Sequence, residues 1–179
     1  MGYKRIYGIA GSEKKCEVAR QMGCLACVNY KNFYDGENIR AGEFEKAVKG
    51  MMDGQTCDIF YENVGEDMLS SMLNIMSDFG KVVMCGATAT YNNWGSKEGV
   101  RNFENIVSKR LQLKGILYYD ESFGEKVKTF LEMGVLDVKG CDVMIHGIEH
   151  LPTTYRNMIH GQYIGKPIIQ LWDSSVINE

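Results

Sequence analysis

Cys57-Asp58-Ile59-Phe60-Tyr61-Glu62-Asn63-Val64-Gly65 and Lys81-Val82-Val83-Met84-Cys85-Gly86-Ala87-Thr88-Ala89-Thr90-Tyr91 are the stretches that decide the fold. Each opens as a short apolar run with little alternation, the pattern of a strand covered on both faces. Each then gives way to small or polar residues. Runs of this kind read as the carboxyl ends of parallel strands, and in open α/β sheets ligands bind in the crevice beyond those ends.

Working outward, strand and helix signals alternate. Lys4 to Ala10 reads as a strand, and Ser12 then caps a helix that Gly23 stops near Met22. A short strand at Ala26–Tyr30 precedes a polar loop to Arg40 and an amphipathic helix over Glu43–Met52. The strand from Cys57 is followed by a helix over Asp67–Asp78, whose Met68, Leu69, Met72, Leu73 and Met76 fall at helical spacing and read as core packing. Beyond the strand over Gly80–Cys85, a helix is expected over Val100–Lys109, a strand over Leu113–Tyr119 and a helix over Phe123–Met133 closed by Gly134. Val143–Ile145, a helix over Pro152–His160 and a strand over Pro167–Trp172 complete the alternation. The fold class is therefore α/β, a doubly wound parallel sheet of the Rossmann-like kind. Residues 1–165 read as one dinucleotide-binding domain and 166–179 as a terminal strand and tail.

Composition narrows the partners. A formal net charge of −3, with Lys and Arg scattered, offers no basic stripe for nucleic acid. No apolar run approaches the ~18 residues of a membrane span, and no secretory leader is legible at the start. Six cysteines include the pair Cys24 and Cys27 at C-x-x-C spacing, but no second pair accompanies them, so a metal site is not expected. Reduced structural thiols in a cytoplasmic protein fit that usage better. The three histidines fall in a late loop or at a helix end and are not expected to act as catalysts.

The turn Ala10-Gly11-Ser12-Glu13-Lys14-Lys15 is unusual. An acidic residue commonly ends the corresponding strand of an NAD-binding fold, where it accepts from the ribose hydroxyl. Here Gly11-Ser12 stands there, and two lysines open the helix, against its macrodipole. A phosphate held by Lys15 would resolve the conflict. Solvated surface lysines are the plain alternative. Tyr30 could cover an adenine or reach the same phosphate, or simply pack by its amphipathic ring. Asn63 and the ledge Cys85, Gly86, Ala87, Thr88, Ala89 and Thr90 offer close backbone approach to a flat ring. Tyr91 has a hydroxyl for a substrate oxygen, or is an ordinary loop aromatic.

Taken in order, Gly8-Ile9-Ala10-Gly11-Ser12 with Lys15, Val28-Asn29-Tyr30-Lys31, Tyr61-Glu62-Asn63-Val64-Gly65, Asp78 to Ala87, Thr90-Tyr91-Asn92, Lys114 to Leu117 and Gly161 to Lys166 resemble one family. It is the zinc-independent branch of the medium-chain dehydrogenase/reductase superfamily, close to the prostaglandin reductases and 2-alkenal reductases. The resemblance implies NADP(H) as cofactor and reduction of the C=C bond of an enone or enal by hydride transfer. It implies that Lys15 and Tyr30 hold the 2′-phosphate, that Asn63 and Cys85 to Tyr91 line the cofactor, and that Tyr91 is catalytic. Ile116, Leu117 and Tyr118 would meet the nicotinamide end, with no metal, and the Leu113–Tyr119 strand would form a homodimer edge.

The chain departs from that pattern at its start. Its first strand corresponds to the family's second, so the usual first strand and glycine-rich turn are expected to be lacking. In strand order 3-2-1-4-5-6 the strand at issue is the central one, and its two neighbours would lose their shared partner. Weak cofactor binding and poor turnover by the chain alone follow as expectations. A non-catalytic module that associates with itself or a partner is the reading from another functional class. A nucleotide-dependent methyltransferase is disfavoured by the missing acidic residue at Gly11-Ser12.

Overall fold

The computed structural model describes residues 3–36, 38–90, 99–117, 121–136 and 142–171. The chain divides into two compact units, Met1–Tyr118 and Tyr119–Glu179.

In the first unit, β1 (Tyr7–Ala10) leads into α1 (Glu13–Gln21). The Ser12 side chain accepts from the Lys15 backbone N–H at 3.2 Å, and Gly23 leaves the helix at φ +105°, which favours glycine. The parallel strand β2 (Ala26–Asn29) follows, then a 3₁₀ turn over Tyr30–Phe33 and α2 (Ala41–Met51). Next come β3 (Cys57–Glu62), α3 (Glu66–Ile75) and β4 (Met76–Met84), and after them α4 (Glu104–Ser108) and β5 (Gln112–Gly115). All pairings between these strands are parallel. They form one sheet in the order β3-β4-β5 and a separate two-stranded sheet β1-β2. The second unit holds α5 (Glu121–Glu132), β6 (Asp142–His146), α6 (Leu151–Ile159) and β7 (Lys166–Gln170), with β6 and β7 paired in parallel.

The core lies around α3. Met68, Leu69, Met72, Leu73 and Ile75 are all buried, some against Phe44 and Val48 of α2 and others against Val82 of β4. Each such side chain contributes about 1.5–3 kcal/mol when fully removed from water. At the end of α3, the Lys109 ammonium donates to the carbonyls of Leu73 at 3.1 Å and Asn74 at 2.9 Å, carbonyls the helix itself leaves open. Burial lowers the Lys109 pKa, with Lys49 adding to the effect.

The α/β class and the parallel, alternating order agree with the sequence. Three boundaries and one burial expectation are corrected. The helix expected to reach Asp78 stops at Ile75, because Met76 turns to extended backbone at ψ 144° and pairs with Cys57. The helix expected from Val100 begins at Glu104, since Asn102 sits at φ +61°, outside helical backbone. The strand expected to reach Tyr119 ends at Gly115, with one further ladder bond from Ile116 N–H to the Met84 carbonyl at 2.9 Å. Lastly, β3 is not covered on both faces: Ile59 is 41% and Tyr61 57% exposed. One edge of β3 pairs with β4, and among the described residues its other edge carries no strand. The doubly wound sheet is thus interrupted between β1 and β3, where the order 3-2-1-4-5-6 has its central strand.

Candidate functional site

The carboxyl ends of β2, β3 and β4 open onto one crevice of about 670 Å³. Tyr30 and Lys31 enter it from the end of β2, Val64 and Gly65 from the turn after β3, and Thr88 and Ala89 from the loop after β4. The last two are held together by the backbone. Thr88 N–H donates to the Asn63 carbonyl and Ala89 N–H to the Val64 carbonyl, both at 3.0 Å, while Cys85 N–H extends the ladder to the Glu62 carbonyl at 2.8 Å.

Glycine makes this close approach feasible. A Cβ on Gly86 would lie 3.0 Å from the Asn63 carbonyl oxygen, and Gly65 sits at φ +86° with Ala87 packed against it. At the β2 end, a Cβ on Gly11 would lie 3.2 Å from the Tyr30 ring and 3.5 Å from the Lys31 side-chain stem. Gly11, Tyr30 and Lys31 therefore converge at one corner, one aromatic hydroxyl and one ammonium beside a bare backbone.

Glu62 holds the turn after β3 in shape. It is fully buried, and its Oε1 accepts from the backbone N–H of Val64 and, at 2.8 Å, of Gly65. Its Oε2 is buried with no hydrogen-bond partner. Burial raises its pKa, and the backbone N–H groups of residues 63–65 pull it back down. Two further acids, Glu66 and Asp67, stand in the crevice wall. The Asp67 carboxylate is paired with Arg101 and also accepts from Ile39 N–H at 3.2 Å, so its charge is answered.

The expected site residues separate into groups. Tyr30 stands in the crevice, Asn63 at its edge, and Gly86 and Ala87 pack behind the ledge formed by Thr88 and Ala89. Thr90 ends the 3₁₀ turn that carries the ledge. Cys85 is exposed, with a side-chain hydrogen bond to Tyr61 that raises the tyrosine pKa. Lys15 is half-buried in the first turn of α1, and Ile116 and Leu117 follow the end of β5, exposed by 40% and 83%. These three do not line the crevice. Tyr91 and Tyr118 lie outside the described residues. Sequence reasoning missed Lys31 and Glu62. The signal for Lys31 was its place directly after Tyr30, and for Glu62 an acid closing an apolar strand before Asn63-Val64-Gly65.

None of the described cysteines lines the crevice. Cys16 is buried and hydrogen-bonded to Cys27, whose thiol is pushed up to about 12, first by burial and then by Cys16. A thiol neutral at pH 7 is a poor ligand and nucleophile. Among the described residues, no three His, Cys, Asp or Glu side chains come together to hold a metal ion.

Residues 1–133 match the family model described as zinc-binding dehydrogenase. The chain belongs to that family. The described residues of this zinc-binding dehydrogenase family member do not themselves fit a zinc site. It is 27% identical over 166 residues to prostaglandin reductase 1 of Oryctolagus cuniculus, covering 90% of this chain and 45% of the relative. It is 28% identical over 172 residues to a 2-alkenal reductase (NADP(+)-dependent) of Nicotiana tabacum, covering 93% and 47%. Among solved structures, CurA from Vibrio vulnificus in complex with NADPH superposes with a TM-score of 0.75 at 22% identity, over 94% of this chain and 50% of that one. That likeness establishes the Rossmann-type fold. The chain spans about half the length of the relatives it matches.

Proposed function

We propose that this chain supplies the cofactor-binding part of an NADPH-dependent reductase acting on the C=C bond of α,β-unsaturated carbonyls. One observation carries the reading: Tyr30 and Lys31, packed beside Gly11, line one crevice together with Gly65 and the ledge of Thr88 and Ala89. The relatives named for prostaglandin and 2-alkenal reduction support the same reading.

The residues present fit a phosphorylated dinucleotide. Lys31 and the Tyr30 hydroxyl are donors suited to a 2′-phosphate, and they flank Gly11, where the side chain is absent. Lys15 opens the neighbouring helix and would add positive charge at that end. The ledge from Cys85 to Thr90, with Asn63, would present backbone to a flat ring. Glu66 would accept from ribose hydroxyls rather than approach phosphate. Bound here, the reduced nicotinamide supplies a hydride. Tyr91 would donate its hydroxyl proton in a hydrogen bond to the substrate oxygen, stabilising the charge that develops there. Ile116, Leu117 and Tyr118 would shape the nicotinamide end, and the outer edge of β5, which carries no strand among the described residues, would serve the homodimer.

The test is cofactor discrimination. Titration followed by nicotinamide fluorescence should show NADPH binding at least ~10-fold more tightly than NADH, equivalent to ~1.4 kcal/mol. Lys31→Ala should remove most of that preference. Equal affinity for the two, or binding of neither, overturns the reading. With NADPH deuterated at the transferable position and a 2-alkenal, deuterium should appear on the β-carbon. Deuterium at the carbonyl carbon would instead assign an alcohol-forming reaction.

A further inference from the structure

The crevice has a further wall that the Tyr30 and Lys31 donors do not use. Tyr34, Gly36, Asn38 and Ile39 line it from the segment that follows the 3₁₀ turn. These positions fall between Val28–Lys31 and Tyr61–Gly65, outside every stretch that carries the family resemblance. The segment is a narrow hairpin held by its backbone. Tyr34 and Ile39 form an antiparallel bridge, Asp35 N–H donates to the Asn38 carbonyl at 3.0 Å, and Arg40 N–H to the Phe33 carbonyl at 2.8 Å. Two carboxylates fix it in place. Asp35 accepts from Asn38 N–H at 2.8 Å, and Asp67 of α3, itself paired with Arg101, accepts from Ile39 N–H at 3.2 Å. The wall is therefore formed before any ligand arrives, which lowers the ordering cost of binding.

Its chemistry differs from that of the Lys31 corner. Among the described residues Lys31 is the only cation lining the crevice, so phosphate belongs at its end. The hairpin wall offers the half-exposed Tyr34 ring, the exposed Asn38 amide and, behind them, the buried side chains of Ile39 and Met68. Burial first, then Tyr30 and Asp67, raise the pKa of the Tyr34 hydroxyl, so the ring stays neutral at pH 7. A flat, uncharged heterocycle with a polar edge suits this wall. Aromatic side chains stack on nucleobases. A carboxamide, donor and acceptor side by side, pairs with the N6 amino group and N7 of adenine. A 6-oxopurine has an acceptor where adenine has its amino group, and would leave the amide oxygen without a donor.

From this wall we infer that Tyr34 and Asn38 read the purine of the dinucleotide and select adenine over a 6-oxopurine, Tyr34 by stacking and Asn38 at the N6/N7 edge. The inference rests on the cofactor reading and adds to it a determinant of base identity. The full chain is titrated with NADPH and with reduced nicotinamide hypoxanthine dinucleotide phosphate, which carries oxygen in place of the adenine amino group. Nicotinamide fluorescence follows the binding. NADPH should bind at least ~10-fold more tightly. Asn38→Ala should remove that base preference and keep the preference for NADPH over NADH. The hairpin bonds of Asn38 run through its backbone, so the wall should survive the change. Tyr34→Ala should weaken both phosphorylated dinucleotides at least ~5-fold, and Tyr34→Phe, which keeps the ring, should restore binding.

Equal affinity of the wild-type chain for the two purines overturns the inference without calling on any variant to fold. The cofactor reading then stands if NADPH is still preferred over NADH. An unchanged base preference in Asn38→Ala, or unchanged affinity in Tyr34→Ala, also overturns the inference. So does an Asn38→Ala chain that loses the preference for NADPH over NADH together with the base preference, because the amide would then only support the wall. Binding of none of the dinucleotides overturns both readings.

Discussion

Solvent is stripped from the Glu62 carboxyl while one of its oxygens has no donor to face. The fold therefore favours its protonated form, and its pKa lies above the ordinary carboxylate value. The sign for stability follows from linkage. A carboxyl whose pKa is raised by folding gives a stabilising contribution that is complete below its unfolded value of ~4.3 and is lost as pH rises through the folded value. Urea unfolding at a series of pH values from ~4 upward should show this falling contribution, and Glu62→Gln should flatten it. An unchanged slope in the variant would place the pH dependence elsewhere. At Gly86 the constraint is steric. A methyl group 3.0 Å from the Asn63 carbonyl oxygen forces the β3 and β4 turns apart. Gly86→Ala should cost about 1–3 kcal/mol in urea unfolding, and on the proposed function it should also weaken NADPH binding. These glycines were legible in the sequence because small residues clustered where an apolar run stopped. Lys31 was not, because the role proposed for it depends on Gly11 lying beside it, a contact between residues of two different strand ends.

At the scale of elements, the periodicity of α3 was readable and its C-terminal end was not. Met76 continues the helical spacing of Met68, Leu69, Met72 and Leu73, but it belongs to β4 and packs in the same core from a strand. Apolar spacing alone cannot separate those outcomes when both faces of the junction are buried. What closes α3 is instead a distant side chain, Lys109, bonded to the Leu73 and Asn74 carbonyls. Lys109→Met keeps the apolar stem and removes the donors, leaving those carbonyls without that partner. The expected loss is about 1–2 kcal/mol by chemical denaturation. A loss indistinguishable from zero would show that water replaces the ammonium without cost. At the other end of the unit, Ser12→Ala should cost about 1 kcal/mol through the lost cap of α1.

At the scale of the whole molecule, burial is uneven along the chain. Every buried hydrophobic side chain among the described residues, from Cys16 to Leu111, belongs to the Met1–Tyr118 unit. In the Tyr119–Glu179 unit the one buried described residue is Thr154, while Leu151, Tyr155 and Ile159 of α6 are 47%, 60% and 47% exposed. The strand pair β6-β7 was legible from its apolar runs; its thin cover was not, since the same runs would suit a strand packed on both faces. The free energy of local opening rises with the apolar surface that opening brings into water. The amides of β6 and β7 should therefore exchange through openings at least ~1.4 kcal/mol cheaper than those of β4, a factor of about ten in the opening constant. Native-state hydrogen exchange read residue by residue checks this. If both sets of strand amides open at the same free energy, the two units unfold as one, and exposed apolar surface on α6 does not measure the stability of the strands that follow and precede it.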